Sequence, residues 1–366
     1  MHLVASPEQQ MIRDSGAKLF GRCERPRVGT AAAFDAALWG ELAANGWLAF
    51  LADPGAAGAD VALFLLEAGR AGVSIPLIDC ALAPGRALRL AGRADAAERL
   101  VRGEGRVALA AEPVAGRNAP VASRSGSAWA LDGECIAPAG GWCDAFLVAV
   151  ELDGRGPDFA LIPQDRPGLT AMRYAGMDGC QHARLRFEAA SAPSGTLLGL
   201  SADGVGAVLA AMRAAACAEA AGHMAALLAA TRRHVLARKQ FGKPIASFQA
   251  VEHRIARMVI AVEEARSLAL FAAIRLAADA TERDRAISGA KAKIGALSRF
   301  VAQNAVQLHG GMGVSEDMPV GHHFRRLATF EARHGTTRHH RDQVAAFVRG
   351  APSLGGSLLD AGAGAA

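Results

Sequence analysis

The chain has 366 residues and a formal net charge of +5; 51% of its residues are hydrophobic but only 5% are aromatic. A chain of this length can bury a substantial core in two or three packed layers. The net charge is small for the length, and no run of Lys or Arg accompanies it, so we expect no nucleic-acid partner. Abundant alanine with few aromatics favours closely packed helices over a β-sandwich.

The six cysteines are scattered along the chain, without a CxxC pair or the spacing of zinc ligands. We therefore expect reduced, mostly buried thiols, no metal site and a cytoplasmic protein. The N-terminal residues MHLVASPEQQ lack a basic region followed by an apolar stretch, so no signal peptide is expected. The most apolar helical stretch contains Arg213, Glu219 and His223, which argues against a membrane span.

The first part of the chain, residues 1–105, has the pattern of short helices joined by loops. Ser6, Pro7 and Gln9 form a good helix start, with a serine N-cap, a proline at the first position and a glutamine at the third. The segment DAALWGELAANG predicts a further helix that ends at Gly46.

From about residue 106 to 200 the periodicity changes to that of strands. Short runs such as RVALAAEP, AFLVAVELDG and ARLRFEAA alternate between apolar and polar residues and are separated by turn residues. We expect a small antiparallel β domain here.

Residues 201–350 return to a helical period, which predicts a C-terminal four-helix bundle. The long helical segments are at about 205–237, 248–280, 283–309 and 338–349, and residues 351–366 are expected to form a mobile tail. The predicted fold is thus α+β and multi-layered, with a helical domain, a β domain and a helix bundle in that order.

Two stretches interrupt the helical period of the bundle. They are RKQFGKPIASFQAVEHR (238–254) and VQLHGGMGVSEDMPVGHHFRR (306–326), and each places glycine and polar residues after a helix. Arg238 can bind a diphosphate through two parallel hydrogen bonds, which lysine cannot. The paired Gly310 and Gly311 allow a close backbone approach.

With these two stretches in this order, the chain resembles the acyl-CoA dehydrogenase superfamily, flavoproteins that desaturate acyl-CoA thioesters between the α and β carbons. The resemblance covers nearly the whole chain and implies the cofactor FAD, an acyl-CoA substrate and an electron-transfer flavoprotein as the electron acceptor. It also implies that a set of residues binds the ADP half of FAD across a dimer interface. This set comprises Arg238, Phe241, Gln249, Gln307, Gly310 and Gly311.

The chain departs from the family pattern where the catalytic base is expected. The family's usual glutamate falls on His334, although Gly335 and the cofactor-contacting Thr336 of the same turn match. The other known base position falls on Met212, beside Arg213. Two candidates for a substitute catalytic group are His334 itself and Glu331, three residues earlier; the alternative for Glu331 is a surface carboxylate paired with an arginine.

Two further departures affect the flavin ring. Ala111 replaces a threonine that bonds the ring in the family, while Glu112 and Pro113 of that motif are kept. The segment around Cys135, Ile136 and Ala137, which is a residue short, falls where a tryptophan covers the outer face of the ring, and alanine and isoleucine can provide neither contact.

These departures leave three hypotheses open. In the first, the chain is an FAD-dependent acyl-CoA dehydrogenase, either as a homo-oligomer or as the base-lacking subunit of a heterotetramer with a second acyl-CoA dehydrogenase subunit. In the second, it is a flavin-dependent monooxygenase of the same fold, in which His334 assists hydroperoxide chemistry. In the third, it is a structural subunit without chemistry of its own. The remaining histidines of the C-terminal part lack a recognised metal-site spacing and are expected at an interface or a phosphate.

Overall fold

The computed structural model describes residues 5–23, 33–125, 128–193, 195–315 and 318–350. The tail expected to be mobile, residues 351–366, lies outside these residues. In the order of the chain, the described elements are a group of helices, a β-sheet and a second group of longer helices.

The first group packs short helices around an apolar centre that includes Phe20, Leu48 and Phe64. Its first helix begins as the sequence predicts, because the Ser6 side chain accepts from the Gln9 backbone and the Gln9 side chain accepts from the Ser6 backbone. The helices are α1 (Pro7–Phe20), α2 (Ala36–Ala44), α3 (Trp47–Ala52), α4 (Gly58–Ala71), α5 (Ala83–Leu90) and α6 (Ala94–Val101). A π-helical turn, Ile78–Leu82, precedes α5.

The middle of the chain forms an eight-stranded sheet with the order β1-β5-β3-β4-β8-β7, in which β2 pairs with β4 and β6 with β5. The strands are β1 (Val107–Ala110), β2 (Glu112–Pro113), β3 (Val121–Ser125), β4 (Ala128–Ala137), β5 (Ala145–Leu152), β6 (Gly156–Pro163), β7 (Leu169–Ala175) and β8 (Gln181–Ala192). Most pairs are antiparallel, as expected, but β5 pairs in parallel with both β1 and β3, so the sheet is mixed. The reason is that β5 is inserted between two strands that precede it in the chain.

The second group of helices follows the sheet. Its long helices are α7 (Ala202–Ala237), α8 (Gln249–Ile274), α9 (Ala280–His309), α10 (Pro319–Ala332) and α11 (Thr337–Gly350), and a two-stranded hairpin, β9 (Lys239–Gln240) and β10 (Lys243–Pro244), separates α7 from α8. The four segments predicted from periodicity correspond to α7, α8, α9 and α11. Helix α10 is an addition to them, and it packs against both α7 and α9.

Helix α7 is the central element of the molecule. By length and composition alone it is apolar enough to cross a membrane, but 67% of its most apolar window is buried inside the protein, as in a core helix. It crosses α4 at very close range: a Cβ on Gly69 or on Gly222 would lie 2.0 Å from a backbone oxygen of the other helix. This close crossing places Glu219 of α7 beside the π-helical turn.

Candidate functional site

Six of the residues that the sequence assigns to the ADP half of FAD lie at one end of the helix bundle, which we call the bundle tip. The rings of His234 and His309 stack with centroids 4.4 Å apart, and this contact joins the last turn of α7 to the last turn of α9. Arg238 follows α7, and Gln307 lies in the last turn of α9. Both side chains are exposed.

The hairpin between α7 and α8 completes the bundle tip. The Arg238 carbonyl accepts a hydrogen bond from Ile245 at 2.8 Å, which closes the hairpin. Phe241 has a left-handed backbone (φ +53°) and is 91% exposed, and its ring makes an edge-to-face contact with Phe248. Gln249 begins α8 and is also exposed. An aromatic ring so far out of the core costs free energy unless another surface covers it.

The two glycines of the tip have different reasons to be glycine. Gly310 has φ +61° and ψ −143°, a backbone conformation that is essentially restricted to glycine. A Cβ on Gly311 would meet nothing within 4 Å. The fold of the single chain therefore does not require glycine at 311, which fits a position approached by a molecule outside this chain.

The position of the usual base lies elsewhere, in a crevice between the sheet, α7 and the C-terminal end of α10. His334 is buried there in a left-handed conformation (φ +59°). Glu112 Oε1 lies 2.6 Å from His334 Nδ1 and accepts the His334 backbone N–H at 2.9 Å. The backbone bond is the directional one, because the Nδ1 contact has the distance of an ion pair but lacks hydrogen-bond geometry.

Two arginines of the same helical segment enter the crevice with His334. Arg333 Nη2 lies 2.6 Å from Asp79 Oδ1 in the π-helical turn. Arg326 Nη2 lies 2.7 Å from Glu219 Oε1, and its Nη1 lies 3.9 Å from Asp178 Oδ2. We call residues 326–334 the cationic segment, because its two arginines and His334 face four carboxylates from four different elements.

The ion pairs shift the ionisation of the groups that form them. Burial raises the pKa of Glu112, but the adjacent His334 imidazole, the charge of Arg333 and the backbone hydrogen bond from His334 outweigh it and lower the pKa to about 2. Burial also raises the pKa of Asp178, and the His182 hydrogen bond and the Arg326 charge reverse this and hold it well below its usual value. These carboxylates are therefore ionised at neutral pH.

The turn that carries His334 is also held from behind. The fully buried Lys291 donates from Nζ to the carbonyls of Phe330 (2.9 Å) and Gly335 (3.0 Å), and burial lowers the pKa of this lysine. The ring of His340 lies 2.8 Å from the His334 carbonyl through Nε2, and burial lowers the pKa of this imidazole to about 4. A neutral His340 donates to that carbonyl, so the backbone of the turn is fixed at three points.

The crevice is too small for a flavin ring. The cavity lined by Asp79, Asp178, Glu219, Arg333 and His334, with their neighbours, has a volume of about 30 Å³, and an adjoining one has about 10 Å³. Sites for cofactors and other small molecules have about 300–1,000 Å³. The ring contacts are also missing, because Ala111 has no hydroxyl and Ile136, which pairs with Glu112 across β2 and β4, has no ring. This chain's own crevice therefore does not fit an isoalloxazine.

The other residues that the sequence singled out lie outside both the bundle tip and the crevice. Glu331 pairs with Arg299 of α9 at 2.8 Å, the surface pairing that was the alternative to a catalytic role. Thr336 is exposed and its hydroxyl accepts the His339 backbone N–H at 3.2 Å, so it lies beyond the far end of α10 and apart from the bundle tip. Met212 is buried.

The histidines expected at an interface or a phosphate are mostly interior in the single chain. His309, His322, His323 and His340 are buried, and only His339 of this group is exposed. Among the described residues no group of three or more potential ligands could hold a metal ion.

The sequence analysis missed the carboxylates of the crevice as a set. Asp79, Asp178 and Glu219 belong to no motif, and they lie more than 100 residues from the arginines they face. One signal was present for Glu219 and Lys291, since each is a charged residue within an otherwise apolar or small-residue helical stretch.

Residues 204–348 match the family described as acyl-CoA dehydrogenase, C-terminal domain. This C-terminal part of the chain belongs to the acyl-CoA dehydrogenase superfamily. Among its relatives, it is 30% identical over 198 residues to acryloyl-CoA reductase (NADH) of Anaerotignum propionicum, which covers 52% of this chain and 50% of the relative. It is 28% identical over 243 residues to the mitochondrial short-chain specific acyl-CoA dehydrogenase of Bos taurus, which covers 63% of this chain and 58% of the relative.

Among solved acyl-CoA dehydrogenase-fold structures, the chain is similar to the ChsE4–ChsE5 complex from Mycobacterium tuberculosis. The TM-score is 0.85 at 23% identity, over 96% of this chain and 100% of the other. At this identity the likeness establishes the fold. The chain spans between half and three fifths of the length of the two curated relatives named above.

Proposed function

We propose that the chain is the base-lacking subunit of a heteromeric, FAD-dependent acyl-CoA dehydrogenase that desaturates an acyl-CoA thioester between the α and β carbons. The observation that carries the proposal is a contrast within one chain. The residues that the resemblance assigns to ADP binding are exposed at the bundle tip, whereas the chain's own crevice is filled by ion pairs and lacks the ring contacts.

In this proposal the bundle tip serves a partner subunit. Arg238 supplies a forked donor for a pyrophosphate, Gln307 supplies an amide for ribose or phosphate, and Phe241 and Gly311 provide a flat surface and a close approach. The partner supplies the glutamate base and the contacts to the isoalloxazine. FAD held between the two subunits would supply the hydride acceptor, and an electron-transfer flavoprotein would reoxidise it in the cytoplasm.

Support for a heteromeric assembly comes from the similar structure named above, which is a complex of two different chains. The closed crevice also speaks against the monooxygenase hypothesis, because oxygen chemistry at His334 would need a flavin ring beside it. In a purely structural subunit, Arg238, Gln249 and Gln307 would have no cofactor to bind.

The test is to purify the chain alone and together with an acyl-CoA dehydrogenase subunit encoded beside it, and to record the flavin absorption of each. We expect no bound flavin in the lone chain, about one FAD per pair of chains in the complex, and dehydrogenation of acyl-CoA by the complex only. A lone chain that binds FAD and oxidises acyl-CoA would overturn the proposal.

A further inference from the structure

Ion pairs in the crevice connect the first group of helices, the sheet region and the second group of helices. Asp79 comes from the first group of helices, Glu112 and Asp178 come from the sheet region, and Glu219 comes from α7. Their cationic partners all come from the cationic segment, residues 326–334. One short segment thus contacts the helical region, the sheet region and the bundle at once.

We propose that the cationic segment is an internal latch, which closes the crevice and excludes a flavin ring and an acyl chain from it. The proposal rests on the proposed function and deepens it. It explains how the first group of helices, the sheet and the second group of helices stay packed together in a chain that has no flavin of its own.

The geometry of the segment fits a fixed closure. The left-handed backbone of His334 is uncommon for a residue with a side chain, and such conformations persist only where the surroundings hold them. Here Glu112 accepts the His334 N–H, His340 holds the His334 carbonyl, and Lys291 donates to the carbonyls of Phe330 and Gly335. These hydrogen bonds fix the backbone of the turn, so rotation of one side chain would not widen the crevice.

The charges fit a closure that resists opening. The charges of Asp79 and Glu112 raise the pKa of the Arg333 guanidinium, against the effect of burial, so the pair stays ionised. Separating a mostly buried pair leaves one charge without a partner at low dielectric, which is strongly unfavourable. Removing both charges together leaves no such group. If ion pairs form the latch, removing both charges of a pair should destabilise the chain less than removing one of them.

The experiment uses the lone full-length chain and measures thermal unfolding with and without FAD in excess. If the latch closes the crevice, added FAD leaves the wild-type Tm unchanged, because a ligand that does not bind the folded chain cannot stabilise it. Asp79→Asn alone should lower the Tm by roughly 5–10 °C, and Asp79→Asn combined with Arg333→Met should recover at least half of this loss.

The matched control is Glu98→Gln, which breaks the exposed Arg102–Glu98 pair and should change the Tm by less than about 1 °C. A rise in the wild-type Tm with FAD, or a double variant that recovers less than half of the loss in Asp79→Asn, would overturn the latch. The FAD titration of the wild type decides the matter even where a variant fails to fold. Failure of the proposed function is distinguishable, because it would appear as a complex with the partner that holds no more flavin than the partner alone.

Discussion

Glu112 reaches across 222 residues of sequence to hold His334 by both its backbone N–H, at 2.9 Å, and its imidazole, at 2.6 Å. The carboxylate belongs to the motif whose flavin-bonding hydroxyl has been lost at Ala111. The imidazole stands where the family resemblance places the base. The glutamate that is kept in one altered motif therefore holds the residue that is altered in the other.

Glu112→Gln should destabilise the chain by about 2–3 kcal/mol. Glutamine keeps an oxygen for the His334 amide, but it removes the charge that compensates His334 and Arg333 in a buried place. Urea unfolding at neutral pH measures the change. Glu104→Gln, which changes an exposed glutamate just before β1, is the control and should have almost no effect; equal losses in the two variants would count against the buried pairing.

Acid should weaken the fold through the same carboxylate. The pKa of Glu112 is lowered from 4.5 to about 2 in the folded chain, so its contribution is complete above pH 4.5 and is lost as the pH falls through 2. The loss amounts to about 3 kcal/mol over that window. Urea unfolding at a series of pH values from 6 to 2 tests this, and in Glu112→Gln the acid-dependent loss should be smaller by about that amount.

Replacing His334 by alanine should change the activity of the complex little. If the partner supplies the base, His334 touches no reacting atom, whereas removal of a general base typically costs about 10²–10⁴-fold in rate. Steady-state acyl-CoA oxidation by the complex, with the flavin content measured in parallel, tests this. Strong activity of the lone chain that disappears in His334→Ala while FAD stays bound would identify His334 as the base instead.

Arg238→Ala should weaken FAD retention by the complex more than Arg238→Lys does. Lysine keeps the charge but not the planar fork that bonds two phosphate oxygens. Flavin absorbance after gel filtration measures retention. Arg233→Ala, an exposed arginine one turn earlier on α7, should retain FAD as the wild type does, and unchanged retention in both Arg238 variants would show that the bundle tip does not serve a flavin.

The chain should assemble through its last helices as a dimer or a dimer of dimers, with itself or with its partner. The reason is that Phe241, at 91% exposure, and the flanking Leu236 and Val314, at 62% and 74%, form an apolar tip that an assembly would cover. Light scattering at micromolar concentration tests this expectation. A monomer under these conditions, with and without the partner, would contradict it.

The sequence by itself was sufficient for the family, the order of the three parts and the long helices. The motif from Arg238 to Gln249 and the motif from Gln307 to Gly311 are each one continuous stretch of the chain, so both can be recognised from the sequence. Helix periods are local in the same sense, since residues three and four apart define them. The losses at Ala111, Ile136 and His334 were visible for that reason too.

Only the tertiary structure decided what replaced the lost contacts. The parallel pairing of β5 and the packing of α10 against α7 depend on elements far apart in the chain. The partners of the cationic segment likewise lie 107 to 254 positions away, in elements without a shared motif. The sequence does not show whether a charged side chain contacts water or another residue. That depends on burial and distance, and both are determined only when the layers pack.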